Sequence, residues 1–310
     1  MEIIAGVDEA GRGPLAGPVV ASAVILPNNH TIEGLRDSKK LTPKKRSLLF
    51  DLIQEQAISI GVGIVDSKEI DKINILQATF KAMKIALGHL KQKPSKALID
   101  GFPLPNQVIP NEGIVGGDDL VDVIKAASII AKVTRDRMME EYAIIFPEYG
   151  FEKHKGYGTK QHIEALDKYK STPIHRKSFS PVKKSMPTMT WLNEKSKVGW
   201  LGEKMAALYL KNKGYSILEM NRNCPPHGEI DIIAQLNNCI HFIEVKSGLK
   251  DSENHLMEKF TSVKLNRLYN AIQFYQKEQK IVNDVQLDAM TVKFQKGGPK
   301  IKYFPAISLD

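Results

Sequence analysis

The chain has 310 residues, of which 25% are charged, and a formal net charge of +9 at pH 7. This length predicts two domains, each large enough for its own hydrophobic core. The two cysteines, Cys224 and Cys239, are too few for a disulfide framework, and no apolar run reaches the roughly 18 residues that a membrane span needs. The composition thus excludes a disulfide-rich scaffold and an integral membrane protein, and we expect a soluble cytoplasmic protein with a polyanionic partner, either nucleic acid or an acidic membrane surface.

The N-terminal stretch, residues 3–20 (IIAGVDEAGRGPLAGPVV), combines an apolar run with two adjacent acids. The β-forming residues before Asp8 and Glu9 predict a short buried strand that ends at this pair. Burying two unpaired carboxylates costs several kcal/mol, so we expect a bound metal cation beside them, although a turn with a surface acid pair would explain the pair equally well. The next residues offer backbone N–H groups and a guanidinium suited to a close approach to phosphate and sugar: Gly11, Arg12 and Gly13.

Further elements follow at regular intervals along the first 115 residues. Strands are predicted at residues 17–26 and 58–65, which with the first strand form an antiparallel meander. A helix is predicted to begin near Thr42 with Pro43 at its first position, and another at residues 75–90 to cover one face of the sheet. Strands are also predicted at residues 97–100 and 108–115. The first of them ends at Asp100, and α/β folds place ligand-binding groups at the carboxyl ends of their strands.

Residues 116–142 predict one long helix that begins with two glycines and two acids. Asp is a good N-cap, and the helix dipole favours negative charge at this end, so one acid of the pair Asp118 and Asp119 has a structural explanation. Asp122 lies one turn after Asp118 on the same face of the predicted helix and is a further candidate ligand. Near the end of this helix, Arg135 and Asp136 are expected to form a structural ion pair.

Basic residues are concentrated in residues 151–185, where nine lysines and arginines face three acids. This segment is expected to lie along a phosphate backbone. Tyr157 lies between two glycines inside it and should expose its ring. Lys39 and Lys40 form a second basic site, which in isolation is more typical of a solvated surface.

Seven segments of the chain, taken in order, resemble type 2 ribonuclease H (ribonuclease HII). They are VDEAGRGPLAGPVV (residues 7–20), DSKKLT (37–42), INILQAT (73–79), LIDG (98–101), AASIIAKVTRD (126–136), HKGYGT (154–159) and PIHRKSF (173–179). The resemblance implies a ribonuclease H-like mixed sheet with flanking helices. It also implies a site for two divalent cations, Mn²⁺ or Mg²⁺, which prefer the oxygen ligands of Asp8, Glu9, Asp100 and Asp118.

One part of this motif departs from the family. Gly116 replaces the usual lysine, and Asp119 stands where a small residue is usual. The sequence therefore leaves open whether Asp119 or Asp122 assists or replaces Asp118.

The resemblance further implies an endonuclease that hydrolyses the RNA strand of RNA/DNA hybrids and cuts on the 5′ side of single ribonucleotides in duplex DNA, leaving 5′-phosphate ends. The 2′-hydroxyl distinguishes RNA from DNA, and its recognition is implied for residues 11–13 with Tyr157, which stacks beneath the sugar. Lys39 and Lys40 are implied to contact phosphate. The alternative is a binding module for hybrids that does not cut them.

The second part of the chain follows a different pattern. We predict a first domain at residues 1–185, a linker at 186–196 and a second, smaller α/β domain at 197–310. Its predicted elements are a helix at residues 199–213, a strand at 215–219, and two paired strands at 227–233 and 240–246 separated by the turn Asn237-Asn238. Three segments, GE (residues 202–203), GEIDII (228–233) and FIEVKS (242–247), resemble the PD-(D/E)xK nuclease core and, more narrowly, the YraN-like family. This resemblance implies a restriction-endonuclease-like fold.

Glu244 and Lys246 lie two residues apart and therefore project from the same face of their strand. Carboxylates and a lysine on one face could hold one Mg²⁺ ion and orient a water, although a Glu-x-Lys pair on a strand is usually a solvated edge pair. The candidate site comprises Glu203, Glu229, Asp231, Glu244 and Lys246. Two readings stay open: a nuclease for branched, single-stranded or duplex DNA, and a non-catalytic module that docks the first domain on DNA. The fusion suggests a shared role in genome maintenance, such as ribonucleotide excision repair or replication.

Overall fold

The computed structural model describes residues 2–249, 253–295 and 298–307. The chain divides into two compact units. The first comprises the residues up to Glu140 together with Glu148–Met186, and the second comprises Glu141–Pro147 and the residues from Pro187 onward. Each unit is built on one mixed sheet with helices against it, as predicted from the sequence. No helix in the described ranges is both long enough and apolar enough to cross a membrane.

Five strands form the sheet of the first unit in the order β3-β2-β1-β4-β5. They are β1 (Ile4–Ala10), β2 (Val19–Ile25), β3 (Ser59–Val65), β4 (Lys96–Asp100) and β5 (Asn111–Ile114). Strands β1, β2 and β3 pair in antiparallel fashion, which confirms the predicted meander, whereas β4 runs parallel to β1 and β5 parallel to β4. The acid pair at the end of β1 thus lies on the central strand of the sheet.

The helices before residue 186 are α1 (Pro43–Gln56), α2 (Ser67–Gly88), α3 (Gly117–Leu120), α4 (Asp122–Ile145), α5 (Phe151–His154), α6 (Lys160–Tyr169) and α7 (Ser180–Lys184), with 3₁₀ turns at Ser38–Lys40 and Pro147–Tyr149. Helix α1 begins as predicted, since the Thr42 side chain accepts a hydrogen bond from the Lys45 N–H. Helix α2 packs on one face of the sheet, and α1 and α4 pack on the other. The sheet is therefore the middle of three layers.

The single long helix predicted for residues 116–142 is wrong. Val121 is extended (φ −118°, ψ 121°) and separates α3 from α4. Asp118 and Asp122 therefore lie in different helices and share no helical face. The Val121 carbonyl accepts the Lys125 N–H (2.9 Å), so the chain begins a new helix after this extended residue. The Asp118 N–H donates a hydrogen bond to Asp100 Oδ1 (3.3 Å), which holds α3 at the end of β4.

The second unit has a five-stranded sheet in the order β10-β9-β8-β7-β6. Its strands are β6 (Ser216–Cys224), β7 (Gly228–Leu236), β8 (Cys239–Gly248), β9 (Asp284–Lys293) and β10 (Lys300–Phe304). Strands β7 and β8 pair in antiparallel fashion on either side of the turn Asn237-Asn238, as predicted, and β8 and β9 run parallel. The helices after residue 186 are α8 (Met189–Leu192), α9 (Lys195–Asn212), α10 (Glu253–Met257) and α11 (Ser262–Gln279).

The linker predicted at residues 186–196 contains regular structure. Helix α8 lies inside it, and α9 begins at Lys195, about one helical turn before the predicted start at residue 199. Trp191 and Trp200 meet edge to face with ring centroids 6.2 Å apart, which gives this polar segment an apolar contact that its composition does not suggest.

Candidate metal centre and nucleic-acid interface

Three acids meet at one edge of the first sheet. Ligand oxygens of Asp8, Asp100 and Asp118 all lie within 4.8 Å of one another, and within the described ranges no second group of three potential metal-ligating side chains converges as closely. The parallel register pairs Val7 with Ile99, so Asp8 and Asp100 follow side by side on neighbouring strands. The tertiary structure thus brings together acids from three separate parts of the sequence.

Gly6 makes this convergence possible. It precedes Asp8 by two residues and shares its face of the strand. A Cβ at Gly6 would lie 2.1 Å from the carbonyl carbon of Val123, far inside contact distance. The lack of a side chain therefore lets the start of α4 approach the sheet closely and brings Asp118, just before α4, within reach of Asp8.

The three acids lack sufficient positive charge around them. Asp8 is only 4% exposed. Burial first, and then the charges of Glu9 and Asp100, raise the pKa of Asp8 well above its ordinary value. The nearest described ammonium group is that of Lys39, whose Nζ lies 3.8 Å from Asp118 Oδ2 at the end of a largely exposed side chain. A set of converging carboxylate oxygens with a deficit of positive charge fits a hard divalent cation.

Glu9 occupies a different position from the other three acids. Its backbone N–H donates to Asp8 Oδ1 (2.7 Å), and its carboxylate lies 3.4 Å from the Arg12 guanidinium. Burial raises the pKa of Glu9, while Arg12 acts in the opposite direction. Its role as a fourth ligand stays a prediction.

The two acids that the sequence left as alternatives to Asp118 have other partners. The Asp119 carboxylate forms an ion pair with Lys40. Asp122 pairs with Lys125 (2.8 Å) and lies 3.7 Å from His30 Nε2. Of the three, Asp118 is the one that joins Asp8 and Asp100.

This arrangement predicts unequal effects for two neighbouring, isosteric substitutions. For the hybrid cleavage that the sequence resemblance implies, Asp118→Asn should lower the rate by about a hundredfold or more, because it removes charge from the acidic group. Asp119→Asn should leave the rate within about threefold of wild type, because it breaks only an exposed ion pair. Single-turnover rates for the two variants test this, and a greater loss in Asp119→Asn would move the ligand by one position.

The Gly11–Gly13 segment runs beside these acids. Gly11 has φ +99°, and a Cβ there would lie 2.1 Å from Arg135 Nε, so both backbone angle and space require glycine. The Tyr157 ring lies next to Gly13, with Cε1 3.6 Å from where a Cβ of that glycine would be. Tyr157 is 45% exposed. A ring that stands free beside exposed backbone can contact a bound sugar.

Two buried arginines hold this segment in place, and the sequence analysis missed their role. Arg176 is fully buried and donates to the carbonyl oxygens of Arg12 (2.8 Å), Gly17 (3.1 Å) and Pro18 (3.2 Å), and also to that of Gly11. Arg135 donates to the carbonyl oxygens of Pro18 (3.0 Å) and Ala16 (3.1 Å). The signal was present in the segment PIHRKSF, which carries Arg176, but a sequence does not show which carbonyls a guanidinium will reach.

The predicted pairing of Arg135 with Asp136 is wrong. Asp136 forms ion pairs with Arg46 (3.4 Å) and Lys132 (2.7 Å). Neighbouring residues on a helix point about 100° apart, so Arg135 points toward the backbone of Ala16 and Pro18 and Asp136 points toward α1.

A chain of hydrogen bonds through two buried histidines ends at the backbone of Tyr157. The Thr172 N–H donates to His175 Nδ1 (3.0 Å), so neutral His175 carries its proton on Nε2 and donates to His162 Nε2 (3.0 Å). His162 then carries its proton on Nδ1 and donates to the Tyr157 carbonyl (2.9 Å). This series of hydrogen bonds forms only when both imidazole rings are neutral.

The buried pair His162 and His175 predicts that the first unit becomes less stable in mild acid. Burial lowers the pKa of His162 to about 4 and lowers that of His175 well below its ordinary value. Between the ordinary pKa of about 6.5 and the lowered one, the unfolded chain binds protons that the folded chain does not. The free energy of unfolding should therefore fall as the pH falls, by about 2 kcal/mol from His162 alone between pH 7.5 and pH 5.

Denaturant titrations at the two pH values measure this change. His162→Gln should reduce the pH dependence, whereas His89→Gln, at an exposed position of the same unit, should preserve it. An equal pH dependence in wild type and His162→Gln would rule out the histidine pair as its source.

The second unit gathers most of its predicted site residues around Glu244. This side chain is 1% exposed, and its Oε1 contacts Lys246 and lies 3.3 Å from Lys264 Nζ. Its Oε2 is buried and has no hydrogen-bond partner among the residues that the structure describes. The Asp231 Oδ2 atom accepts the Val245 N–H (2.7 Å) on the neighbouring strand. Burial and the Glu244 charge raise the pKa of Asp231 to about 8.

The two remaining predicted acids are connected to each other through Asn221. Its side-chain amide donates to Glu203 Oε2 (2.7 Å) and to Glu229 Oε1 (3.2 Å). Burial raises the pKa of Glu203, and the charges of Glu229 and Glu244 add to this effect. A Cβ at Gly202 would lie 2.4 Å from Ser247 Cβ, so this glycine lets α9 lie against β8 beside the acids. The acids of this unit converge less closely than those of the first.

The mixed sheet of the first unit, with converging acids on its central strands, defines a nuclease of the ribonuclease H-like class. Its residues superpose on a crystal structure of ribonuclease H2 from Pyrococcus horikoshii with a TM-score of 0.52 and 31% sequence identity, covering 59% of this chain and 96% of that one.

Residues 5–182 match the family model for ribonuclease HII. Ribonuclease HII from Acetivibrio thermocellus is 59% identical over 179 residues, which cover 58% of this chain and 70% of the relative. Ribonuclease HII from Shewanella pealeana is 56% identical over 182 residues, which cover 59% of this chain and 90% of the relative. The chain belongs to the ribonuclease HII family and is a ribonuclease H enzyme. Residues 202–292 match the model of the Uncharacterised protein family UPF0102.

Proposed function

We propose that the first unit hydrolyses the RNA strand of RNA/DNA hybrids and cuts on the 5′ side of single ribonucleotides embedded in duplex DNA. The observation that carries this proposal is the convergence of Asp8, Asp100 and Asp118 beside the exposed residues Arg12 and Gly13 and the partly exposed ring of Tyr157. The family membership and the excess of basic residues support a nucleic-acid substrate.

The acids would hold two divalent cations, Mg²⁺ or Mn²⁺, with Glu9 as the fourth ligand. When bound, such cations activate an attacking water and stabilise the charge on the departing 3′ oxygen. The protein supplies the geometry: the strand register fixes Asp8 beside Asp100, and the hydrogen bond from the Asp118 N–H to Asp100 holds the third acid against them. The product ends would be a 5′-phosphate and a 3′-hydroxyl.

Substrate selection would rest on the 2′-hydroxyl of the ribonucleotide, the group that distinguishes RNA from DNA. Backbone groups of Gly11, Arg12 and Gly13 would contact it, with the Tyr157 ring beneath the sugar. Lys39 lies beside Asp118 and Lys40 beside Asp119, and both lysine side chains are largely exposed. Their ammonium groups would contact neighbouring phosphates.

Tyr157 gives a test of this selection. Tyr157→Ala should lower kcat/KM at a single embedded ribonucleotide by about tenfold to a hundredfold, because stacking contacts of this kind contribute about 1–3 kcal/mol. Tyr157→Phe retains the ring and should keep most of that stacking. Rates on a DNA duplex with one ribonucleotide measure the effect, and equal rates for Tyr157→Ala and wild type would remove Tyr157 from sugar recognition.

We infer that the second unit is a metal-dependent DNA nuclease whose site comprises Glu203, Glu229, Asp231, Glu244 and Lys246. The buried Oε2 of Glu244, which has no partner among the residues that the structure describes, favours a cation at this site, because leaving a charged oxygen buried without a partner is costly. One divalent cation would accept this oxygen together with Asp231. The alternative is a unit that binds DNA without cutting it and keeps the first unit on its substrate.

The full chain carrying Asp8→Asn separates these two possibilities, since this substitution is expected to inactivate its first unit. The experiment offers branched, single-stranded and duplex DNA with Mg²⁺ or Mn²⁺, and compares this chain with one that also carries Glu244→Gln. Cleavage that depends on Glu244 would support the nuclease. Binding without cleavage by either chain would support the docking module.

A further inference from the structure

Two lysines from different elements share one oxygen of Glu244. Lys246 follows on the same strand, and Lys264 reaches the Glu244 Oε1 atom from α11 at 3.3 Å. Lys264 lies 18 residues after Lys246 in the sequence and outside the Glu-x-Lys motif. The structure thus adds a second ammonium group to this site.

The two lysines differ in their freedom to move. Lys246 lies on β8, and its Nζ is 5.6 Å from the centroid of the Phe260 ring, which restricts it. Its side chain is 22% exposed, whereas that of Lys264 is 37% exposed. Lys264 also makes the longer contact, so it can leave Glu244 at lower cost and swing toward solvent.

Helix α11 supports a positive potential at the same place. Lys264 lies in its first turn, where Thr261 caps the helix by accepting the Lys264 N–H (3.3 Å). The positive end of the helix dipole and the lysine charge therefore reinforce each other beside the acids. A phosphate group is the ligand that such a combination favours.

We propose that Lys264 is a phosphate-binding residue of the second unit that neutralises Glu244 until a divalent cation takes its place. This inference rests on the cation site proposed for that unit. In the cation-free protein, Lys246 and Lys264 share Oε1 of Glu244, and its Oε2 has no partner among the described residues. A divalent cation bound to Glu244 repels the Lys264 ammonium, which then binds a backbone phosphate of DNA.

The test uses the full chain with Asp8→Asn, which weakens cation binding in the first unit. In this background Lys264→Ala is compared with Lys277→Ala, which removes an exposed lysine from the last turn of the same helix. Calorimetric titration with Mn²⁺ should show binding about fivefold tighter in Lys264→Ala, because a competing cation worth about 1 kcal/mol is gone.

DNA binding supplies the second readout. With Ca²⁺ present, Lys264→Ala should bind a ribonucleotide-free duplex less tightly than Lys277→Ala, with a slope of log K against log salt that is less steep by about 1, as expected for one lost phosphate contact. Lys264→Arg should retain the slope, because it keeps the charge. A change in Mn²⁺ affinity without a change in this slope would overturn the phosphate-binding role.

Glu244→Gln in the same background tests the cation site separately from the role of Lys264. If it removes one Mn²⁺ ion while Lys264→Ala and Lys277→Ala behave alike in both measurements, the role of Lys264 is refuted and the cation site stands. If it leaves Mn²⁺ binding unchanged, the cation site itself fails.

Discussion

Asp8→Asn should lower hydrolysis of an RNA/DNA hybrid by about a thousandfold or more, since the cations that this carboxylate would hold contribute several kcal/mol to the transition state. The substitution keeps the shape of the side chain and removes its charge. Asp8 is buried at the centre of the acidic group, so solvent cannot replace the lost oxygen ligand. Single-turnover cleavage with Mg²⁺ and with Mn²⁺ measures the loss.

Asp8→Asn should lower activity but raise the stability of the cation-free protein. Burial and the neighbouring charges of Glu9 and Asp100 raise the pKa of Asp8, which means that its ionised form is unfavourable in the cation-free protein. Asp8→Asn should therefore raise the free energy of unfolding in the absence of divalent cations. Added Mg²⁺ should stabilise the wild type and should have a much smaller effect on the variant.

Asp51→Asn is the matched control, because Asp51 is an exposed acid on α1. It should change neither cleavage nor the response to Mg²⁺. Wild-type cleavage in Asp8→Asn, or stabilisation by Mg²⁺ as large as in wild type, would refute the assignment of cations to this group.

Arg176→Ala should destabilise the first unit by about 3–5 kcal/mol, because it leaves several buried carbonyl oxygens without their donor. The guanidinium of Arg176 is fully buried and bonds to four carbonyls of residues 11–18. These bonds fix the loop that would contact the ribonucleotide. At temperatures where the variant is folded, KM for a hybrid should rise as the loop loses its position.

Arg176→Lys keeps a positive charge but has one donor nitrogen in place of three, so it should recover only a small part of the lost stability. Lys177→Ala is the control, since it removes an exposed cation from the next position. Denaturant titration and steady-state cleavage give the two readouts. A free energy of unfolding within about 0.5 kcal/mol of wild type in Arg176→Ala would show that the carbonyls have other donors.

Local sequence patterns predicted most of the elements correctly. Alternating and apolar runs indicated β1 to β4, the Thr42-Pro43 pair indicated the start of α1, and the turn Asn237-Asn238 indicated the β7–β8 hairpin. These features depend on residues within a few positions of one another. Asp8 and Asp100 each follow an apolar run, which predicted that both lie near the end of a strand. The parallel pairing of these two strands brings the two acids together.

The tertiary structure decided which side chains meet. Asp118, Asp119 and Asp122 are equivalent candidates in the sequence. In the structure, α3 and α4 are separate helices, and Asp118 lies beside Asp100. Asp119 forms an ion pair with Lys40, and Asp122 forms one with Lys125. In the same way, the carbonyls reached by Arg176 and the approach of Lys264 to Glu244 depend on packing between distant segments. The sequence by itself indicated β1 to β8, the acids and the family, but it did not indicate β9, β10 or α11. The partners of each charged group required the folded chain, because periodicity tells which face a residue occupies and says nothing about the element that packs against that face.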